Sequence, residues 1–182
     1  MADIKTAFQG EMGAYSHLAC EKLFPGSSIK ACATFEETFK VAHQDENYKI
    51  IIPIENSLAG RVADIHYLLT KYKLQIYSEH FQNVEHNLLV KEGTELKDIK
   101  YVRSHVQAID QCQKIISKNK FKTIISADTA GSAKDLSTSN DKSIAAIASK
   151  LSAKIYNLKI LKSNIEDDTG NVTRFLIMGK KV

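Results

Sequence analysis

Three short polar segments of the sequence carry the residue types that bind small anions. They comprise residues 55–60, 104–107 and 129–132, and each follows a run of residues typical of a β-strand. Hydroxyls, amides and the backbone N–H groups at a helix N-terminus suit a carboxylate or a phosphate. The same residue types cap helices, and capping is the commoner role for any one such segment. An anion site is therefore predicted only if the three segments lie close together in the folded protein.

A fourth segment, Asn171-Val172-Thr173-Arg174-Phe175, has the pattern of a β-strand. Successive side chains alternate between the two faces of a strand, so Thr173 and Phe175 share one face. Val172 and Arg174 then share the other face. The residues alone modestly favour a plain strand with a surface arginine.

Several kinds of site find no support in the sequence. There is no G-x-S-x-G, no G-x-x-x-x-G-K-[ST] and no G-x-G-x-x-G, so a serine hydrolase or a nucleotide site has no warrant. The histidines lack the helical spacing of metal ligands, so no metal site is expected. The cysteines, Cys20, Cys32 and Cys112, are odd in number and widely spaced, which indicates buried reduced thiols rather than disulfides.

The composition is that of a globular protein: 182 residues, of which 43% are hydrophobic and 25% are charged. No apolar run is long enough to span a bilayer, and the first residues lack a signal-peptide core, so a cytoplasmic location is expected. Net charge is −3 in residues 1–90 and +7 in residues 91–182. The basic half suits an anionic ligand, although solvated lysines explain it more simply, and no nucleic-acid module is recognisable.

Short β-type runs alternate with helical patterns, which predicts α/β architecture with parallel sheets covered by helices. The strongest predicted strand covers residues 49–54, and a polar strand-to-helix loop is expected after it. Residues 145–151 are predicted to be a helical or small-residue segment. The long extended stretch at residues 74–91 interrupts the alternation, as expected where a chain crosses between two lobes.

Six motifs in this order resemble the catalytic domain of the prephenate dehydratase family along essentially the whole chain. They are Gly13-Ala14-Tyr15-Ser16-His17; Ile52-Pro53-Ile54-Glu55-Asn56-Ser57 with Gly60 and Val62; Ser104-His105-Val106-Gln107-Ala108 with Gln111-Cys112; Asp128-Thr129-Ala130-Gly131-Ser132-Ala133; Ala145-Ala146-Ile147-Ala148; and Asn171-Val172-Thr173-Arg174-Phe175. Val106 stands where the family usually has proline, which lowers rigidity at a helix start. The regulatory ACT domain into which family members usually continue is not covered, and the sequence leaves open whether it was removed or is naturally absent.

The resemblance implies an α/β fold of two lobes similar to type II periplasmic binding proteins, with the active site in the cleft between the lobes. We expect lobe 1 to comprise about residues 1–77 plus 160–182, and lobe 2 about residues 78–159. The implied activity is conversion of prephenate to phenylpyruvate in phenylalanine biosynthesis, without cofactor or metal. The expected partner is the small-molecule substrate, with no nucleic acid and no membrane; a homodimer fits the resemblance and the general frequency of dimers.

The resemblance also assigns residues to the reaction. Thr173 is the expected catalytic residue, a hydrogen-bond donor to the departing hydroxyl of prephenate. The expected substrate-binding residues are Asn56, Ser57, Ala59, Gly60, Ser104, His105, Gln107, Thr129, Ala130, Asn171, Arg174 and Phe175. Arg174 is either a counter-ion or a residue that orders the neighbouring loop, and Phe175 packs beside the substrate or behind Thr173.

Three other functions stay open. Arogenate dehydratases carry out the same elimination on the amino-acid analogue of prephenate. A non-catalytic two-lobe binding module is an alternative from another class. A catalytically dead relative is the third, although the signature residues are intact.

Overall fold

The computed structural model describes residues 4–181 and divides into two compact units. Residues 4–11, 15–83 and 170–181 form unit 1, and residues 12–14 and 84–169 form unit 2. The expected divisions after residues 77 and 159 therefore lie too early. The first differs because the strand through residue 83 belongs wholly to the sheet of unit 1, and the second because residues 159–162 pair within unit 2.

Unit 1 contains a mixed sheet with three helices. Its elements are β1 (Lys5–Gln9), α1 (Tyr15–Leu23), β2 (Ser28–Cys32), α2 (Phe35–Gln44), β3 (Tyr48–Asn56), β4 (Gly60–Arg61), α3 (Ile65–Tyr72), β5 (Gln75–Asn83) and β11 (Val172–Gly179). The strand order is β2-β1-β3-β11-β5, with β4 paired to β3. Strands β1, β2 and β3 are parallel, whereas β11 is antiparallel to both of its neighbours.

The core of unit 1 forms where α2 and α3 cover the sheet. It includes the fully buried Phe39, Ile50, Ile52 and Ile65. Burial of this apolar surface is the main favourable contribution to the stability of the unit. It also fixes the strands β3 and β11, and the candidate residues of this unit lie on these strands or beside their ends.

Unit 2 contains a second mixed sheet. Its elements are β6 (Asn87–Val90), a 3₁₀ turn (Leu96–Asp98), β7 (Tyr101–Ser104), α4 (Val106–Asp110), α5 (Gln113–Asn119), β8 (Lys122–Ile125), α6 (Thr129–Thr138), β9 (Ile144–Ala148), α7 (Lys150–Ile155) and β10 (Lys159–Lys162). The strand order is β10-β6-β9-β7-β8. Strands β9, β7 and β8 are parallel, and β6 runs antiparallel to β9 and β10.

Strand β9 corrects the prediction that residues 145–151 form one helical or small-residue segment. Ala145 and Ile147 pack into one apolar cluster of unit 2, while Ala146 and Ala148 pack into another, so the strand is buried on both faces. Alanine favours helix in isolation, but burial on both faces of a central strand outweighs that preference. The helix begins only after Ser149, whose hydroxyl accepts from the backbone N–H of Ser152 at 3.0 Å.

The apolar residues Ala108, Ile109, Cys112, Ile115 and Ile116 have the spacing that predicts one helix, but the structure has two helices there, α4 and α5, divided at Cys112. The break is stabilised from a distant loop. The Asp167 carboxylate accepts from the backbone N–H of Lys114 at 3.1 Å, and the Asp167 N–H donates to the carbonyl oxygen of Gln111 at 2.7 Å. These bonds satisfy backbone groups that a continuous helix would have paired internally.

The α/β class is confirmed, whereas the expectation of parallel sheets holds for only part of each sheet. Within residues 4–181, no helix combines the length and the apolar character needed to cross a membrane.

Candidate active site

The start of β11 lies against a tight hairpin at the end of β3. Strand β3 continues to Asn56, and Gly60 of β4 pairs back onto that residue. Thr173 lies opposite Asn56 on one side and opposite Gln82 of β5 on the other. The expected strand-to-helix loop at residues 55–60 is therefore wrong, because half of that segment is paired in the sheet and the other half is the turn of the hairpin.

Ser57 fastens this hairpin to the start of β11. Its backbone N–H donates to the carbonyl oxygen of Val172 at 2.9 Å. Its hydroxyl donates to the carbonyl oxygen of Gly170 and accepts from the backbone N–H of Val172, both at 2.9 Å. Three bonds thus fix residues 170–172 relative to β3.

The Asn56 side chain joins the hairpin to two residues of the terminal segment. Its Nδ2 donates to Oδ1 of Asn171 at 2.7 Å and to Oγ of Thr173 at 3.0 Å. Its Oδ1 accepts from the backbone N–H groups of Leu58 at 3.0 Å and Ala59 at 2.9 Å. Asn171 is buried and Thr173 is half-buried. A threonine hydroxyl in this setting has its oxygen held and its proton available.

Gln82 occupies the opposite flank of Thr173 and was missed by sequence reasoning. Its Nε2 donates to the carbonyl oxygen of Tyr15 at 2.9 Å. Its Oε1 is buried and accepts no hydrogen bond from the described part of the chain. Residues directly opposite in adjacent strands project from the same face of a sheet, so Asn56, Thr173 and Gln82 form one polar row. Finding it requires the strand order, which local patterns do not reveal.

Arg174 forms an ion-pair cluster that joins three neighbouring strands. Its Nε and Nη2 lie 2.8 and 2.6 Å from Oε2 of Glu79 on β5, and its Nη1 lies 3.8 Å from Glu55 on β3. The guanidinium also lies 5.7 Å from the centre of the Phe81 ring. A guanidinium engaged in this way favours a structural role over that of a counter-ion, although it orders the strands and not the neighbouring loop that was expected.

Phe175 is buried, with 1% of its surface exposed. The pairing of β11 with β3 shifts register between Arg174 and Phe175, because Phe175 lies opposite Pro53 rather than Ile54. Its burial favours a position behind Thr173 in the interior over one beside a substrate.

In unit 2, the candidates after β7 build the start of α4. Ser104 is fully buried, and its hydroxyl donates to the carbonyl oxygen of Ile147 at 2.7 Å. His105 is the N-cap residue, and its Nδ1 accepts from the backbone N–H of Gln107 at 3.3 Å. The Gln107 side chain is exposed.

The candidates after β8 likewise form a helix start. Asp128 caps α6 by accepting from the backbone N–H of Gly131 at 2.6 Å. A Cβ at position 131 would lie 2.8 Å from Oδ2 of Asp128, so glycine leaves room for the cap. Thr129 is half-buried and Ala130 is fully buried. Capping is thus a demonstrated role of this motif.

The three cysteines, Cys20, Cys32 and Cys112, are all buried and unpaired with one another, as expected. Burial raises the pKa of the Cys20 thiol to about 12, against which the hydrogen bond with Thr6 acts. Burial also raises the pKa of Cys112. Among residues 4–181, no cluster of three or more His, Cys, Asp or Glu side chains is arranged to hold a metal ion.

The chain is similar to proteins of known families over nearly all its length. A family model described as prephenate dehydratase matches residues 6–182. A bifunctional N-acyl-homoserine lactone acylase/prephenate dehydratase of Komagataeibacter europaeus is 42% identical, over 96% of this chain and 62% of the relative. Arogenate dehydratase/prephenate dehydratase 1 of Arabidopsis thaliana is 40% identical, over 98% of this chain and 45% of the relative.

Solved structures agree with these sequence matches. The prephenate dehydratase of Staphylococcus aureus has a TM-score of 0.85 and 25% identity, over 98% of this chain and 67% of that chain. The chain spans less than two thirds of the length of the two curated relatives named above. Since the family model covers nearly every residue described, the chain belongs to the prephenate dehydratase family.

Proposed function

We propose that this chain catalyses the decarboxylating dehydration of prephenate to phenylpyruvate, with Thr173 as the hydrogen-bond donor to the leaving oxygen. The observation that carries the proposal is the hydroxyl of Thr173, whose oxygen accepts from Asn56 while its proton stays available. Family membership supplies the substrate class. The product is an α-keto acid one amino transfer away from phenylalanine, which fits a role in phenylalanine biosynthesis.

The reaction breaks two bonds and forms an aromatic ring. The bond between ring C1 and its carboxylate breaks, its electron pair enters the ring, and carbon dioxide leaves. The C4–O bond breaks at the other end of the ring, and the departing oxygen takes up one proton to become water. Aromatisation supplies the driving force, so the barrier lies in expelling a poor leaving group.

A donor aimed at the leaving oxygen lowers that barrier. A threonine hydroxyl is too weak an acid to ionise near neutrality, so Thr173 acts as a positioned donor or through a relay. Assistance of this kind contributes about 10²–10⁴ in rate, which corresponds to roughly 3–5 kcal/mol of activation free energy.

The substrate is a dianion, and neutral donors suit its side-chain carboxylate. Arg174 is engaged by Glu79 and Glu55, so we assign it to ordering the strands rather than to the substrate. Gln107 and Thr129 of unit 2 remain candidates for substrate contact, because Gln107 is exposed and Thr129 is only half-buried.

The proposal is tested by mixing the purified chain with prephenate and following phenylpyruvate by its absorbance in alkali. Thr173→Val removes the hydroxyl and keeps the branched shape, and we expect it to lower kcat by at least about 100-fold. Thr173→Ser keeps the hydroxyl and is expected to retain substantial activity. Circular dichroism checks that both variants fold. Equal activity in Thr173→Val and the parent would remove Thr173 from the mechanism.

The same assay with arogenate, followed by phenylalanine release, separates the two substrates. This arm is warranted because the Arabidopsis relative is named for both activities. If product forms from arogenate alone, arogenate replaces prephenate as the assigned substrate. If product forms from neither compound, the alternative of a non-catalytic binding module is favoured.

A further inference from the structure

All four hydrogen-bonding positions of the Asn56 side chain are occupied within unit 1. A primary amide has two N–H donors and an oxygen with two lone pairs. The two donors go to Asn171 and Thr173, and the oxygen accepts from the N–H groups of Leu58 and Ala59, with all four distances between 2.7 and 3.0 Å. No position is left for a substrate.

The orientation of this amide follows from its partners. Backbone N–H groups can only donate, so the atom that faces Leu58 and Ala59 is the oxygen. The nitrogen therefore faces Thr173, and the Thr173 oxygen must accept from it. The bond cannot run in the opposite direction.

This bond determines what the Thr173 hydroxyl can do. Its oxygen is held, and its single proton must point elsewhere. Gln82, the neighbour on the other flank, has a buried Oε1 that accepts nothing from residues 4–181. The proton is thus not donated across the row and is available to a bound molecule.

We propose that Asn56 is a positioning residue that orients Thr173 as a donor, rather than a substrate-binding residue. The inference rests on the proposed function for its chemistry and on the four contacts for its geometry. It replaces the role expected from the sequence, in which Asn56 bound the substrate directly. It also explains why a hairpin follows β3 at once: the two N–H groups that hold the amide oxygen belong to the turn.

Asn56→Asp is the decisive variant, because it keeps the shape and the accepting oxygen and removes the donor. The new carboxylate accepts from the Thr173 hydroxyl and turns its proton away from the substrate. We expect kcat to fall by at least about 100-fold, with KM nearly unchanged. The pKa of an unperturbed aspartic acid is about 4. Below the pKa of the new carboxyl, its protonated form can again donate to Thr173, so we expect kcat to recover in part. The rate measured without enzyme is subtracted at each pH. Asn140→Asp, the same charge change on an exposed residue of unit 2, is the matched control.

A double-mutant cycle separates positioning from direct binding. If Asn56 acts only through the hydroxyl, Asn56→Asp has almost no further effect on kcat in a Thr173→Val background. The proposal would be overturned if Asn56→Asp and Thr173→Val lowered kcat independently, so that their effects multiplied in the double variant. It would also be overturned if Asn56→Asp raised KM and left kcat intact.

A measurement without substrate keeps this test separate from the reaction itself. Both Asn56 side-chain protons are hydrogen-bonded, so in ¹⁵N-resolved hydrogen exchange they should exchange at least about tenfold more slowly than those of Asn140. Equal rates would refute the positioning role whatever the activity. If the parent converts neither prephenate nor arogenate, the proposed function fails, and the exchange rates still decide whether the amide is held.

Discussion

Gly13 offers a quantitative test of whether the first motif of the family is structural. Its backbone has a φ of +95°, in the region that favours glycine. Its carbonyl oxygen accepts from the hydroxyls of Ser149 at 2.6 Å and Ser152 at 2.9 Å, all within unit 2. Gly13 is buried, so a side chain added at this position could not turn toward solvent.

Gly13→Ala should destabilise the protein through two separate costs. A Cβ would lie 2.6 Å from Oγ and 2.9 Å from Cα of Ser152, and the backbone atom cannot rotate away. Such overpacking costs about 1–3 kcal/mol, and a side chain at positive φ costs roughly 1–2 kcal/mol more. The expected loss in the free energy of unfolding is therefore about 2–5 kcal/mol.

Gly93→Ala is the matched control, because it lies in the same unit with a φ of +77°. A Cβ at position 93 would lie 3.5 Å from Nζ of Lys142, an ordinary contact at the end of a flexible side chain. Only the backbone cost of roughly 1–2 kcal/mol applies there. Urea unfolding followed by circular dichroism compares the two variants with the parent. If Gly13→Ala is no more destabilising than Gly93→Ala, the packing described around Ser152 is wrong.

Two further predictions concern buried polar groups of unit 2. Ser104→Ala should lower the free energy of unfolding by about 1–3 kcal/mol, since it leaves a buried carbonyl of Ile147 without its donor. The exposed Ser117→Ala is the control, and a raised KM at unchanged stability would instead restore Ser104 as a substrate ligand. Burial lowers the pKa of His86 below 6.5, against the opposing effect of its bond to Gln111. The unfolded chain then binds a proton that the folded one does not, so stability should fall as pH drops from about 7 to 5. The melting temperature measures this, and His86→Gln should lessen the fall; an unchanged slope would contradict the assignment.

Local patterns predicted most of the elements of the fold, and failed where tertiary burial decides. The end of helix α1 (Tyr15–Leu23) has a local signal, because Pro25 and Gly26 follow it and cannot continue a helix. Residues 145–148 were assigned wrongly because a run of small apolar residues shows no alternation of polar and apolar side chains. Only the pairing with β6 and β7 identifies β9 as a central strand. Antiparallel pairings such as β11 with β3 join distant parts of the chain and leave no short-range signal.

The candidate site divides in the same way. Alternation along the strand predicted Thr173 and Arg174 on opposite faces, and the observed partners of the two side chains agree. The full use of the Asn56 amide was not predictable, because Asn171 lies 115 positions away in the chain. Motif matches identify which residues recur together, but they do not reveal which of them bond to each other. The expected cleft between the lobes stays a prediction.

The position of β11 has a consequence for how the protein is made. During synthesis, β3 and β5 emerge early, yet the strand that separates them in the finished sheet appears only after the whole of unit 2. Until then, two long strand edges of the nascent chain lack their partner, and closing that distance carries an entropic cost. Unit 2 is continuous apart from residues 12–14, so it can fold before unit 1 receives β11. The hydrogen bond between Asn56 and Thr173 can therefore form only after β11 has joined β3, once unit 2 has been synthesised.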